Sequence, residues 1–504
     1  MRKNGKFLFD MIFLTLSSLV LNLIGMGFRV WLSKTAGAEV LGIHQVLYSV
    51  YLPACTLACS GINLAVTRLV TSSQLKGERL GSVMWRCLGY SFGFGLLSGG
   101  VLFSLSGFAE THLLKQPGSG LCLRILSFGL PFLSSVSAFH GMFTALRKVA
   151  RSVAVQMTED LSKMAVTAFV LTVFLRGKSP AEMCIALVVG SACAETLSCL
   201  CGLLLYLVEL RLDKGQSRNS QKGLTLRLFG IALPAAASSY IRSALSAFEN
   251  LMIPIGLRRA GMTDPQIYSR LGILHGMVMP TVMFPSVMLS SCSRLLVPEF
   301  SEAFEKGDRE ALCRNASKVI RLTLSFSFIT TAVFIFFADS LGFMLFDSPE
   351  AGRWLRLMSP LIPLLYLDGI IDAMLKGINE QLASMRVNII DSAVSAVAVA
   401  VLLPEYGFEG YFVITYVTCC LNAFMSLDRF LRVINLKLSA QRCIFLPCAA
   451  AFASVSFIHT IMNVAGSGNA VTGIVLSVSV YVGIMAVMGG TLRKKRHKAA
   501  MTEI

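Results

Sequence analysis

Charge is scarce in this chain. Asp, Glu, Lys and Arg together supply 14% of its 504 residues, and tryptophan occurs three times. No G-x-x-x-x-G-K-[ST] loop is present to cradle phosphates, so the chain encodes no self-contained ATPase. H-E-x-x-H and C-x-x-C are missing, and no Cys/His cluster has ligand spacing, so no metal site is expected. No Gly-rich selectivity loop is found, and no stretch between apolar runs could fold as a soluble catalytic domain. Neither an enzyme nor a cofactor is expected. The fourteen cysteines are scattered, most of them inside apolar runs, as Cys193, Cys199 and Cys201 are. They read as small apolar side chains and not as disulfides or ligands.

What is present is apolar. Hydrophobic residues make up 55% of the chain and mean hydropathy is +0.68. Apolar runs of about 20 residues, enough to cross a bilayer, recur from end to end. No alternating ten-residue pattern of a β-barrel is seen. The expected class is an all-α polytopic membrane protein. Fourteen helices are predicted, at 8–33, 42–70, 81–107, 123–146, 153–175, 183–208, 227–257, 268–297, 314–338, 353–376, 383–403, 408–429, 441–463 and 470–490. The opening M-R-K-N-G-K precedes an apolar run longer than a signal-peptide core and closed by Arg29 and Lys34, so it reads as the first membrane helix.

A net charge of +17 invites a nucleic-acid reading, but the basic residues lie in short loops. Segment 209–227 holds five, 429–442 holds four and the tail R-K-K-R-H-K holds five, while 404–410 and 463–470 hold none. That asymmetry is the positive-inside pattern, with both termini cytoplasmic and an even helix count. Arg258, Arg259, Arg353 and Arg356 fall on the outer side and call for snorkelling or a ligand contact.

A faint repeat runs through the chain. Q-L-K-G-E-R-L (74–80) matches F-E-K-G-D-R-E (304–310), and L-S-K-T-A-G (32–37) matches G-L-R-R-A-G (256–261). The spacing divides the chain into an N-terminal lobe (1–210), a basic linker (211–226), a C-terminal lobe (227–430) and a final helix pair with a basic tail (431–504). Many secondary transporters are built from such repeats, with the substrate site between the halves.

A charge at a membrane-helix centre costs about 2.5–3.5 kcal/mol. Those inside the predicted helices are therefore candidates: Arg29, Glu159, Asp160, Lys163, Glu195, Arg242, Glu249, Arg270, Arg294, Asp368, Asp372 and Asp391, with His140 and His275. Arg242 and Glu249 share a helix face about 10 Å apart, too far for a direct bond, and are expected to line one polar cavity. Asp368, Asp372 and Lys376 share another face, and Glu159 and Lys163 make an i,i+4 pair. Pro234, Pro254, Pro280 and Pro285 lie within predicted helices, where proline removes a backbone hydrogen bond and kinks the axis. They are the expected kink points.

Several stretches together resemble a known group. They are L-N-L-I-G-M-G-F-R-V (21–30), S-G-I-N-L-A-V-T-R-L-V (60–70), A-F-H-G-M-F-T-A (138–145), A-L-P-A-A-A-S-S-Y-I (232–241) and Y-S-R-L-G-I-L-H-G-M-V-M-P-T-V-M-F-P-S-V…R-L-L-V-P-E-F-S-E-A-F (268–304). In these the chain is similar to the flippase branch of the multidrug/oligosaccharidyl-lipid/polysaccharide exporter superfamily, and within it to sporulation and polysaccharide-export members. The resemblance covers nearly the whole chain and is weakest after 440. It implies two pseudo-repeated six-helix lobes forming a V around a central cavity, with a C-terminal helix pair for the lipid tail. It also implies basic cavity residues: Arg29 and Arg68 fill basic positions of the family. Asn22 and His140 stand where arginines are common in the family.

The function expected from this is a secondary flippase for an undecaprenyl-linked sugar, a peptidoglycan or other envelope precursor, in the bacterial cytoplasmic membrane. Its partners would be that lipid-linked oligosaccharide and membrane lipids, not nucleic acid. Arg29, Arg68, Arg242 and Arg294 are the candidate phosphate contacts, since guanidinium forks meet phosphate oxygens bidentately. Glu249, Asp368 and Asp372 are candidates for coupling to an H+ or Na+ gradient or to the membrane potential. The alternative is a multidrug or cation antiporter, which favours an acidic, aromatic-lined cavity; a non-transporting assembly scaffold is a third reading.

Overall fold

The computed structural model describes residues 2–75, 80–175, 177–212, 224–436, 438–464 and 469–502, and no strand occurs among them. The first helices are α1 (Arg2–Cys59), α2 (Ile62–Leu75), α3 (Leu80–Phe108), α4 (Ser119–Ala145), α5 (Val149–Val173), α6 (Pro180–Leu212), α7 (Leu224–Arg259) and α8 (Asp264–Leu271). After a π-helical stretch, Gly272–Val278, come α9 (Met279–Met283), α10 (Ser286–Glu305), α11 (Arg309–Phe336), α12 (Ala338–Phe346), α13 (Pro349–Met358) and α14 (Ile362–Gly377). The chain then runs through α15 (Gln381–Ile434), α16 (Leu446–Val464) and α17 (Ala470–Thr502). Most of the predicted linker 211–226 lies outside the described residues.

Each of the fourteen predicted segments falls largely on helix. Among the described residues, nine helical stretches are long and apolar enough to cross a membrane. Two of them, Leu19–Ser73 and Gln381–Ile434, have 55 and 54 residues, length for two passes each. Glycine makes this possible. Gly37 (φ 84, ψ 170) interrupts α1 and Gly407 (φ 57, ψ −140) interrupts α15 without a loop on either side. L-residues avoid that region, so one glycine replaces each predicted connection. Gly37 and Gly261, which end the two matched repeat segments, have φ of 84 and 85. α5 stands apart because Glu159, Asp160 and Lys163 lie at its middle.

Two predicted helices are broken. The segment 268–297 passes through α8, the π-helical stretch, α9 and α10, with Pro280 in the first turn of α9 and Pro285 at the N-cap of α10. The segment 353–376 passes through α13, a 3₁₀ turn (Ser359–Leu361) and α14. Prolines absent from the candidate set also sit inside helices: Pro53 in α1, Pro131 in α4 and Pro404 in α15.

The chain forms two compact units, Met1–Gly276 with Ser392–Ile414, and Met277–Asp391 with Thr415–Ile504. These bounds fall elsewhere than 210, 226 and 430. In the first unit a core of Ile62, Val66, Met84, Phe139, Met142 and Phe143 joins α2, α3 and α4. α1 meets α8 at backbone distance: a Cβ on Gly42 would strike the Tyr268 carbonyl, and one on Gly272 would strike that of Ala38. Lipid tails are as apolar as leucine, so close approach of small residues drives such contacts. In the second unit Gly377 of α14 packs on Phe300 and Val297 of α10, and Ser301 Oγ donates to the Gly377 carbonyl at 2.8 Å. Tyr481 of α17 donates to the Ser325 carbonyl of α11 at 2.9 Å.

Two of the outward arginines have protein partners. Arg258 binds Asp264 at 2.6 Å, the Leu114 carbonyl at 3.0 Å and Tyr268 at 3.1 Å. Arg356 pairs with Asp339 at 2.6 Å and donates to the Ile335 carbonyl at 3.2 Å. Neither needs snorkelling or a ligand to explain it.

Candidate functional site

A cavity of about 580 Å³ opens inside the first unit. One wall comes from α1: Leu52, Cys55, Thr56 and Cys59, continued by Ser60. The opposite wall is α7, with Ser239, Arg242, Ser243 and Ser246. Leu133 of α4 and Ser392 of α15 complete it. Both walls obey one rule. Positions 52, 55, 56, 59, 60 and 239, 242, 243, 246 are spaced by three and one in turn, so each set shares one helix face. The Thr56 and Ser243 hydroxyls join the walls by a hydrogen bond of 3.0 Å.

Arg242 is the only charged residue among the described residues of this lining. Its side chain is exposed to the space and offers N–H donors without an acceptor. The surrounding hydroxyls donate or accept as required. Such a surface suits an anion rich in oxygen acceptors, because charge-assisted hydrogen bonds from guanidinium to phosphate or carboxylate are strong and directional. The hydroxyl and thiol stripe was not among the sequence candidates; its i,i+3,i+4,i+7 spacing was the available signal.

The other candidates are distributed. Glu249, two turns beyond Arg242, does not line the cavity with it; it accepts a 2.5 Å hydrogen bond from Ser395 Oγ. The expected shared lining is thus corrected: the two side chains leave α7 toward different neighbours. Pro254 is buried within an uninterrupted α7. Arg29 on α1 and Arg68 on α2 are exposed and do not line the cavity. The side chains of Arg294 and Pro234 lie outside the described residues; their backbone is helical, in α10 and α7. In the second unit, Asp372 is paired with Lys376 at 2.6 Å, as the i,i+4 spacing predicts, and also accepts from Ser384. Asp368 lies within electrostatic range of Asp372.

One group of membrane charges does come together. Lys163 of α5 lies within electrostatic range of Glu159, Asp160, Glu195 and Arg29. Glu195 of α6 accepts a hydrogen bond from the Tyr51 hydroxyl of α1 at 2.6 Å. His140 is turned to Ser152 (2.6 Å) and His275 to Tyr411 (3.1 Å).

Comparison with known proteins places this architecture. Stage V sporulation protein B of Bacillus subtilis (strain 168) is 24% identical over 412 residues, spanning 80% of this chain and 79% of that protein. Lipid II flippase MurJ of the same organism is 23% identical over 456 residues, spanning 82% and 81%. A solved structure of lipid II flippase MurJ in an inward closed conformation superposes with a TM-score of 0.70 at 12% identity, over 95% of this chain and 99% of that one. The likeness in fold spans nearly the whole of both chains. The MatE family matches residues 261–402. The polysaccharide biosynthesis protein family matches residues 7–304, more than half of the sequence. The chain is therefore a multi-pass helical membrane protein that belongs to the polysaccharide biosynthesis protein family, within the multidrug/oligosaccharidyl-lipid/polysaccharide exporter superfamily.

Proposed function

We propose that the protein is a secondary flippase that carries a polyprenyl-linked sugar precursor of the cell envelope across the cytoplasmic membrane by alternating access. The observation that carries this reading is the cavity lining: one guanidinium, Arg242, among hydroxyls and thiols, with no carboxylate among the described lining residues. A pyrophosphate between lipid and sugar offers the oxygen acceptors such a surface binds. The similarity to a lipid II flippase supports the same class of substrate. A cation or drug antiporter calls for an acidic, aromatic-lined cavity, which this lining is not.

The lobes 1–210 and 227–430, joined by a cytoplasmic linker, belong to the proposal, and the matched segments ending at Gly37 and Gly261 support them. The driving force is an H+ or Na+ gradient or the membrane potential. Arg29, Arg68 and Arg294 remain proposed phosphate contacts for other stages of the cycle, and Glu249, Asp368 and Asp372 proposed coupling groups. Complementation tests the function. Cells depleted of their own lipid II flippase should survive when this chain is expressed, and Arg242→Ala, expressed to the same level, should fail. Loss of one hydrogen bond to a charged group, about 1.5–3 kcal/mol, lowers apparent affinity about 10- to 150-fold. Rescue by Arg242→Ala equal to wild type would sink the role of Arg242. Failure of the wild type would point to another polymer.

A further inference from the structure

Glu195 is an enclosed carboxylate whose role nothing above explains. The residue is 6% exposed and its partner Tyr51 is 1% exposed. The Tyr51 hydroxyl donates to Oε1 at 2.6 Å, while Oε2 is buried with no hydrogen-bond partner. Oε2 lies against the backbone of Gly129 on α4, where a Cβ would strike it. An ionised carboxylate with one oxygen unsatisfied in a dry interior is costly. A proton on that oxygen removes the charge, which is the larger part of the cost.

The surroundings define which ligand fits. From α1, the side chains of Tyr48, Tyr51, Cys55 and Cys59 lie within electrostatic range of Glu195. From α5, Glu159 and Lys163 do so. Asp160, Arg29 and His44 act at one remove, through Lys163. α4 presents the Gly129 backbone. A metal cation would need several oxygen ligands. Here one carboxylate oxygen is taken by a hydroxyl, an ammonium stands nearby, and no group of three metal-capable side chains exists among the described residues. A proton needs only the free oxygen.

The site also communicates with the cavity. Cys55 stands one turn from Tyr51 on α1, within electrostatic range of Glu195, and lines the cavity wall. We propose that Glu195 is a proton-binding site of the first unit, linked to the cavity through Tyr51 and Cys55. Protonation moves the Tyr51 hydroxyl proton to Oε1 while Tyr51 takes a proton from the cavity side by way of Cys55; rotation of the carboxyl then exchanges the two oxygens, so that the unprotonated one again accepts from Tyr51, and release reverses both steps. A group that titrates beside a binding cavity couples occupancy of the one to occupancy of the other, and the coupling is reciprocal. The use of this coupling to drive transport rests on the flippase reading; the binding of the proton does not.

Infrared difference spectroscopy of the purified full-length protein, titrated between about pH 5 and pH 9, reads the proton alone. Wild type should show a protonated-carboxyl band that Glu195→Gln loses, with the variant still monodisperse. Tyr51→Phe should keep the band but shift it, since the hydrogen bond to that carboxyl is gone. Exchanging choline for sodium should leave it unchanged. A spectrum identical in Glu195→Gln, or a Tyr51→Phe band that does not move, overturns the assignment. Loss of the band on adding sodium also overturns it, in favour of a metal cation. None of these outcomes depends on the complementation result.

Discussion

Arg242 and Glu249 share a helix and a face, and they meet different neighbours. Arg242 reaches open space among hydroxyls, whereas Glu249 is held by Ser395. Glu249→Gln keeps an oxygen to accept from Ser395 while removing the charge. It is expected to leave protein abundance unchanged and to lower transport at least several-fold, as measured by flipping of a lipid-linked sugar in proteoliposomes. Transport equal to wild type would make Glu249 a structural acceptor only. At this scale the sequence marked Arg242, because a guanidinium in an apolar run is conspicuous. It did not mark Tyr51 with Glu195, although Glu195 was visible as a membrane charge. The two are 144 residues apart, and no spacing rule reaches that far.

At the scale of helices, glycines decide where backbones meet. Gly42 and Gly272 face carbonyls of the opposing helix, while Gly93 and Gly100 on α3 have open space around the Cβ position. Gly42→Leu or Gly272→Leu is expected to destabilise by about 1–3 kcal/mol or more, through overpacking. Gly100→Ala should stay within about 0.5 kcal/mol of wild type or stabilise slightly. Thermal unfolding of the purified variants in detergent checks the contrast; equal melting temperatures for Gly42→Leu and Gly100→Ala would contradict the packing. Helix positions were legible from apolar runs. Their breaks at Gly37, Gly407 and Pro285 were legible only as residue types, since composition does not say whether a glycine bends, ends or merely lightens a helix.

For the whole molecule, charge asymmetry predicts the orientation. A periplasmic-active phosphatase fused within 404–410 should be active, and a fluorescent protein fused within 429–442 should fluoresce. The reverse pattern would overturn the assignment of the termini to the cytoplasm. Both segments flank the second half of α15, so one pair of fusions tests one crossing.

The amino-acid sequence by itself determined that this is a helical membrane protein, roughly where its helices lie, and which charges fall within them. Those properties follow from local hydropathy, since each span must satisfy its own backbone in lipid. Only the tertiary structure decided that hydroxyls of α1 and α7 face each other around Arg242, that Glu249 turns to Ser395, and that Glu195 is closed in by Tyr51 and Gly129. Those outcomes depend on which helix faces meet. Interhelical packing sets that through small residues distant in sequence, and no local pattern records it.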